Sequence, residues 1–166
     1  MIVRVTVIIV MRRLLLLMAL MVWQGGFMFY GAVVVPVGSE VLGSHLEQGF
    51  VTQSVTNYLN LVGAVALAVW CWDITTGRAA GGRRLRWIGW GLLVVLLGVL
   101  VWLHPKLDAL LNADGFRILD RSSYRLLHQW YLAISTIQWS VAILLAGLTI
   151  WAWKESDAAS LESIRQ

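Results

Sequence analysis

The run from Tyr124 to Trp153, YRLLHQWYLAISTIQWSVAILLAGLTIWAW, decides the fold class. After Arg125 it carries no charged residue as far as Trp153, which is longer than the ~20 apolar residues a helix needs to cross a hydrocarbon core. At about 100° per residue, Tyr124, His128, Tyr131, Ser135, Gln138, Ala142 and Thr149 fall on one narrow face, while Leu, Ile, Val and Trp fill the remainder. The pattern predicts a membrane-spanning helix whose polar stripe faces protein and whose other sides face lipid.

Working outward, three more windows lack Asp, Glu, Lys and Arg: Leu14 to Ser39, Phe50 to Trp72 and Trp87 to Leu103. They are continuous Leu, Val and Ile runs, without the ~10-residue alternating segments of an outer-membrane barrel. A composition 59% hydrophobic and only 13% charged, with ten Trp and a mean hydropathy of +0.75, does not suit a soluble domain of this length. The expected fold is therefore an all-α integral membrane protein, a four-transmembrane-helix bundle with spans at about 14–37, 52–73, 86–103 and 124–153. Residues 1–13 form a cytoplasmic segment or an extension of the first helix, residues 154–166 a cytoplasmic tail, and short interfacial helices lie on the outer side around His104 to Ser123.

The basic residues set the orientation. With both termini inside, Arg4, Arg12, Arg13, Arg78, Arg83, Arg84, Arg86, Lys154 and Arg165 are cytoplasmic, against Lys106, Arg117, Arg121 and Arg125 outside. The positive-inside rule favours this arrangement in an inner membrane. Trp70, Trp72, Trp87, Trp90, Trp151 and Trp153 then form an inner belt, and Trp102 and Trp130 an outer one. The pI near 9.7 reflects these flanking charges and does not point to nucleic acid. Arg86 is expected to snorkel from a third span at the short end of the required length. The segment Asp73 to Arg86 reads as a cytoplasmic loop clamped to the membrane surface.

Arg12 and Arg13 before an apolar run resemble a signal peptide, but no cleavage site follows and the run continues to Val35. Ile2 to Val10 leaves two readings, a helix extension or a chain that starts at Met11. Gly25, Gly26, Gly31 and Ala32 predict close approach by a neighbouring helix, and Pro36 predicts the end or a kink of the first helix. Pro105 is expected to open a new helix after His104. In the second span Gln53, Asn57, Asn60, Ala64, Ala68 and Cys71 share a face expected to look into the bundle.

The candidate site residues follow from that topology. His45, His104 and His128 all fall on the outer side, and imidazole suits copper or zinc, so a three-histidine metal site, with Glu47 or Asp108 nearby, is one expectation. Opposed axial ligation of haem by His104 and His128 is another. The polar set Gln24, Gln53, Asn57, Asn60, Tyr131, Ser135 and Gln138 reads either as a seam that fixes helix register or as a narrow outward-facing pocket. Cys71 stands alone and supports neither a disulfide nor a cysteine metal motif. Ser135 and His128 lie two turns apart, so no hydrolytic triad is built from them.

The segments GGFMFYGAVVVP (Gly25 to Pro36), FVTQSVTNYLN (Phe50 to Asn60), HPKLDAL (His104 to Leu110) and YRLLHQWYLAIST (Tyr124 to Thr136) resemble a family of four-helix bacterial membrane domains that includes eukaryotic transmembrane protein 205. The resemblance covers most of Leu14 to Trp153. It implies four helices, both termini on one side and no established enzymatic activity. A eukaryotic member is linked to tolerance of a platinum drug, and bacterial copper-resistance domains are a looser analogy. The family's Tyr/Phe-x-x-x-His signature matches Tyr124 and His128, whereas Glu40 and the Asp120-Arg121 pair depart from its pattern. The expected function is non-enzymatic binding or transport of a small ligand or metal ion. The alternatives are an accessory subunit contacting itself or another membrane protein through Gly25, Gly31, Ala64 and Ala68, and a haem or quinone electron-transfer protein.

Overall fold

The computed structural model describes the backbone of residues 2–77, 82–112 and 117–165, and the side chains of residues 7–44, 47–77, 82–111 and 118–162. Arg78 and Asp114, and the side chains of Arg4, His45, Arg117 and Arg165, lie outside the described residues. Four helices are long and apolar enough to cross a membrane: Val7–Leu42, Glu47–Thr76, Arg83–Asp108 and Arg121–Glu162.

The first rod is continuous but not uniform. It runs through α1 (Ile2–Leu20), a π-helical stretch Met21–Gly25, α2 (Gly26–Phe29), a second π-helical stretch Tyr30–Val34, and α3 (Val35–Leu42). The residues at each join keep right-handed helical dihedrals. Pro36 therefore does not end the rod; the wider hydrogen-bonding of the π stretch before it accommodates a residue that lacks an N–H. The stop comes at Gly43, whose φ of 62° is left-handed and favours a residue without a Cβ.

The helix α4 (His45–Thr76) starts at Ser44, whose hydroxyl accepts from the Glu47 N–H. It is followed by α5 (Arg83–Asp108). Pro105 lies inside α5, not at a new start; only three residues follow it, so little helix is disrupted. The outer connection also differs from the expected pair of interfacial helices. Strands β1 (Leu111–Asn112) and β2 (Arg117–Ile118) pair antiparallel, Leu111 opposite Ile118. Asp120 then caps α6 (Arg121–Arg165) by accepting from the N–H and hydroxyl groups of Ser122 and Ser123. Those hydrogen bonds, the Ser122 hydroxyl foremost, hold its carboxyl well below the usual range. The tail expected after Trp153 is the continuation of α6.

The rods pack as a four-helix bundle with both chain ends together, and its core has two parts. Toward the termini, Leu16, Leu20 and Trp23 of the first rod meet Ala66, Leu67, Trp70 and Ile74 of α4, Leu93 and Leu97 of α5, and Ala142 and Leu145 of α6. Toward the hairpin, Leu100, Leu103 and Leu107 of α5 meet Tyr131 of α6. No first-rod residue belongs to that second cluster, and this leaves space on its inner side.

The inward face of α6 is the polar stripe, with Tyr131, Ser135, Gln138, Ala142 and Thr149 all buried. The inward face of α4 is rotated from the expected one. Asn60, Gly63, Leu67, Trp70 and Ile74 point inward, whereas Asn57, Ala64 and Ala68 are exposed. Bulk explains the shift: Trp70 is fully buried and donates its indole N–H to Thr149 at 3.0 Å, so it belongs to the core and to no belt. Trp90 likewise donates inward, to the Leu67 carbonyl. Close helix approach occurs at Gly63, where a Cβ would lie 2.8 Å from the Trp23 ring, whereas Gly25 and Gly31 face open space.

At the termini end one buried carboxylate gathers all four rods. Asp73 of α4 is fully buried; it pairs with Arg86 of α5, lies 2.9 Å from Arg12 Nε of α1, and accepts the Trp153 indole N–H of α6 at 3.2 Å. Arg12 also donates to Thr76 at 2.6 Å. Arg86 is thus a core residue, 2% exposed, and does not snorkel. A second pair, Arg13 with Asp157, is two-pronged at 2.7 and 2.8 Å but its carboxylate is 57% exposed.

The two pairs should behave differently. Removing one member of a buried ion pair costs about 3–5 kcal/mol, whereas an exposed pair is worth about 0.2–1 kcal/mol. In chemical unfolding of the protein in detergent, Asp73→Asn is expected to lower stability by about 3–5 kcal/mol and Asp157→Asn by less than about 1 kcal/mol. Equal effects would show that the carboxylate at Asp73 is not the element that ties the rods.

Candidate ligand-binding site

The space left beside the upper core is a cavity of about 400 Å³ walled by all four rods. Its position follows from the spacing along the first rod. Phe27, Gly31, Val35 and Ser39 line it at intervals of four residues. In a straight α-helix each such step turns the face by about 40°, enough over three steps to carry Ser39 out of the wall. The π-helical stretch within this run absorbs that drift and keeps one face on the cavity.

Polar groups on the walls are mostly tied to each other. On α4, Gln48, Thr52 and Thr56 follow one another at four-residue spacing and all line the cavity. The Thr52 hydroxyl donates to the Gln48 carbonyl at 2.8 Å and the Thr56 hydroxyl to the Thr52 carbonyl at 2.8 Å. Tyr30, at the start of the second π-helical stretch, donates to Thr52 Oγ1 at 2.9 Å and accepts from Gln48 Nε2 at 3.3 Å. Gly38 makes room for Gln48, since a Cβ there would collide with its carboxamide. On the opposite wall Tyr131 accepts from Asn60 Nδ2 at 3.2 Å.

The mouth is formed by α5 and α6. His104 Nε2 lies 3.5 Å from Asp108 Oδ2, and the His104 ring sits 6.4 Å from that of Tyr131. Tyr124 and His128 stack nearly parallel, 5.8 Å apart. Phe27, Val35, Leu59 and Leu132 add apolar side chains along the wall. Such a chamber, apolar for the most part with a few polar groups and aromatic faces in its lining, has the composition typical of a small-molecule site.

Five of the residues singled out from sequence, Gln53, Tyr131, Ser135, His104 and His128, line this cavity, and Asn60 supports it through Tyr131. Three do not. Asn57 points outward, and Gln24 Oε1 and Gln138 Nε2 are buried atoms without a hydrogen-bond partner among the described residues, away from the cavity walls. The three-histidine metal site includes His45, whose side chain lies outside the described residues; among the described residues no three His, Cys, Asp or Glu side chains gather. His104 lies beside Asp108 and His128 stacks on Tyr124. Sequence reading missed Tyr30, Gln48, Thr52 and Thr56. The four-residue spacing of Gln48, Thr52 and Thr56 was the available signal, hidden by the choice of Gln53 and Asn57 for the inward face.

No family model, curated protein or solved structure matches the chain. The cavity therefore stands on its own geometry.

Tyr131→Phe removes the hydroxyl to which Asn60 donates. An interhelical hydrogen bond of this kind contributes about 0.6–1.7 kcal/mol, so the variant is expected to lose that much stability on unfolding in detergent. Asn60→Leu combined with Tyr131→Phe should cost less than the two single changes together, because both members of the pair leave at once. Strict additivity would mean that the two residues do not act through each other.

Proposed function

We propose that the protein is a four-span integral membrane protein, both termini cytoplasmic, that binds or moves a small ligand through the outward-facing cavity. The cavity walled by all four rods is the observation that carries this reading. The membrane assignment is supported by four long apolar helices whose outer sides carry large apolar side chains, among them Leu14, Met21, Leu61, Val95, Leu144 and Ile150. No water-soluble bundle leaves so much apolar surface uncovered. The orientation is supported by the basic residues around the termini end and by the resemblance to the transmembrane protein 205 family.

Orientation is read with thiols. In intact cells a membrane-impermeant maleimide is expected to leave Cys71 unmodified and to label Glu47→Cys in a Cys71→Ser background. The opposite pattern would invert the topology. For the cavity, Ser135→Cys in the same background places a thiol on the wall. The neutral reagent methyl methanethiosulfonate is expected to modify it at a rate that Gly49→Trp, a block in the wall facing Tyr124, lowers at least ~10-fold while helix content is retained. A thiol that never reacts in folded protein, or reacts equally with and without the block, would remove the pocket reading.

A second reading, an accessory subunit or a self-associating bundle, draws on one observation. Asn57, Ala64 and Ala68 of α4 are exposed, and a polar amide with small neighbours on an outward helix face suits contact with another helix. Association of the purified protein in nanodiscs that Asn57→Leu abolishes would support it.

A further inference from the structure

We infer that the ligand of this cavity is an amphiphilic monovalent cation, an organic ammonium with an apolar tail; the inference rests on the pocket reading above. Charge comes first. Among the described residues the cavity wall holds one carboxylate, Asp108, two histidines, His104 and His128, and no Lys or Arg. The described cations near the mouth are turned elsewhere, with Lys106 lying 3.6 Å over the ring of the exposed Trp102 and Arg121 and Arg125 exposed. Arg12 and Arg86 are committed to Asp73 at the far end of the bundle. An anion entering this chamber would meet a like charge in Asp108 and, among the described lining residues, no permanently charged cation, and in surroundings of low polarity that is costly. A cation meets the complement.

Aromatic faces add to the carboxylate. Phe27, Tyr30, Tyr124 and Tyr131 all line the wall, and aromatic rings attract ammonium groups through their quadrupole, most strongly where water is excluded. The hydroxyls of Tyr30 and Tyr131 are already joined to Thr52, Gln48 and Asn60, so these walls bring rings to a guest more than free donors. A quaternary ammonium, which needs no hydrogen bonds, suits such a lining.

Shape supplies the tail. From Gln48 to Leu59 the α4 wall descends eleven helical residues, roughly 16 Å at 1.5 Å per residue. Asp108 stands at its upper end, and along the descent Phe27, Leu59 and Leu132 line the wall beside Thr56, Tyr131 and Ser135, whose hydroxyls are the polar groups at that depth. A head held beside Asp108 therefore leaves a hydrocarbon chain directed along the apolar side chains of Phe27, Leu59 and Leu132.

Protection of the Ser135→Cys thiol, in the full-length Cys71→Ser protein in nanodiscs of zwitterionic lipid, tests this. Hexyltrimethylammonium is expected to slow its reaction with methyl methanethiosulfonate at concentrations at least ~10-fold lower than 1-hexanol requires, and hexanesulfonate to protect more weakly than either. Asp108→Asn is expected to remove the advantage of the cation and leave protection by 1-hexanol unchanged, while Asp108→Glu retains it. Equal protection by cation and alcohol, stronger protection by the sulfonate, or a cation affinity indifferent to Asp108→Asn would overturn the inference while the pocket stands. Absence of protection by all three compounds would overturn the inference and the pocket reading together.

Discussion

The carboxylate of Asp73 is the constraint on which the arrangement of the rods depends. An ionised group buried in an apolar interior is costly unless it is paired and hydrogen-bonded. Here each of the other three rods supplies a partner: Arg12, Arg86 and Trp153. The same point is reached from Arg12, which also holds Thr76. Apolar packing alone leaves helices in a membrane free to slide and rotate, because lipid satisfies their surfaces as well as neighbours do. A charge with partners on three rods fixes rotation and height together.

The other end of the bundle is held by weaker and more numerous contacts. Neutral hydrogen bonds join Tyr30 to Thr52 and Gln48, and Asn60 to Tyr131, and the buried apolar cluster there joins α5 to α6. Each such bond is worth about 0.6–1.7 kcal/mol at most, against several for the ionic cluster. The bundle is therefore tight where its ends meet and open where the cavity lies. This division puts the cavity in the half of the bundle held by the weaker contacts.

Much of this was legible in the chain and some was not, for physical reasons. The stripe on α6 could be read because helical periodicity is sustained over many turns, from Tyr131 to Thr149, and each stripe residue is indeed buried. The face of α4 was misread because polarity was taken as the guide to the interior, whereas Leu67, Trp70 and Ile74 decide it by bulk. Arg12 and Arg86 looked like orientation signals and Asp73 like the start of a loop; that they meet depends on pairings between residues far apart in the chain, which no local pattern contains. Pro36 and Pro105 suggested breaks, yet one follows a π-helical stretch and the other lies three residues from a helix end. At the mouth of the cavity His104, His128 and Asp108 were visible by residue type, whereas Tyr30, Gln48 and Thr52 were not.

The two π-helical stretches of the first rod bear on how this chain tolerates changes of length. Each accommodates surplus residue within a helix that never breaks, so the rod beyond Val34 keeps a rotational phase that an α-helix of the same sequence would not have. Losing one residue within either stretch would restore ordinary helix and leave everything beyond in phase, whereas closing a stretch into α-helix with its full count of residues would turn everything beyond by about 100°. Gly38 would leave Gln48, and Val35 and Ser39 would leave the cavity wall. The lower half, anchored by Leu16, Leu20 and Trp23, would be untouched. In this rod the count of residues, more than their identity, determines what the upper bundle encloses.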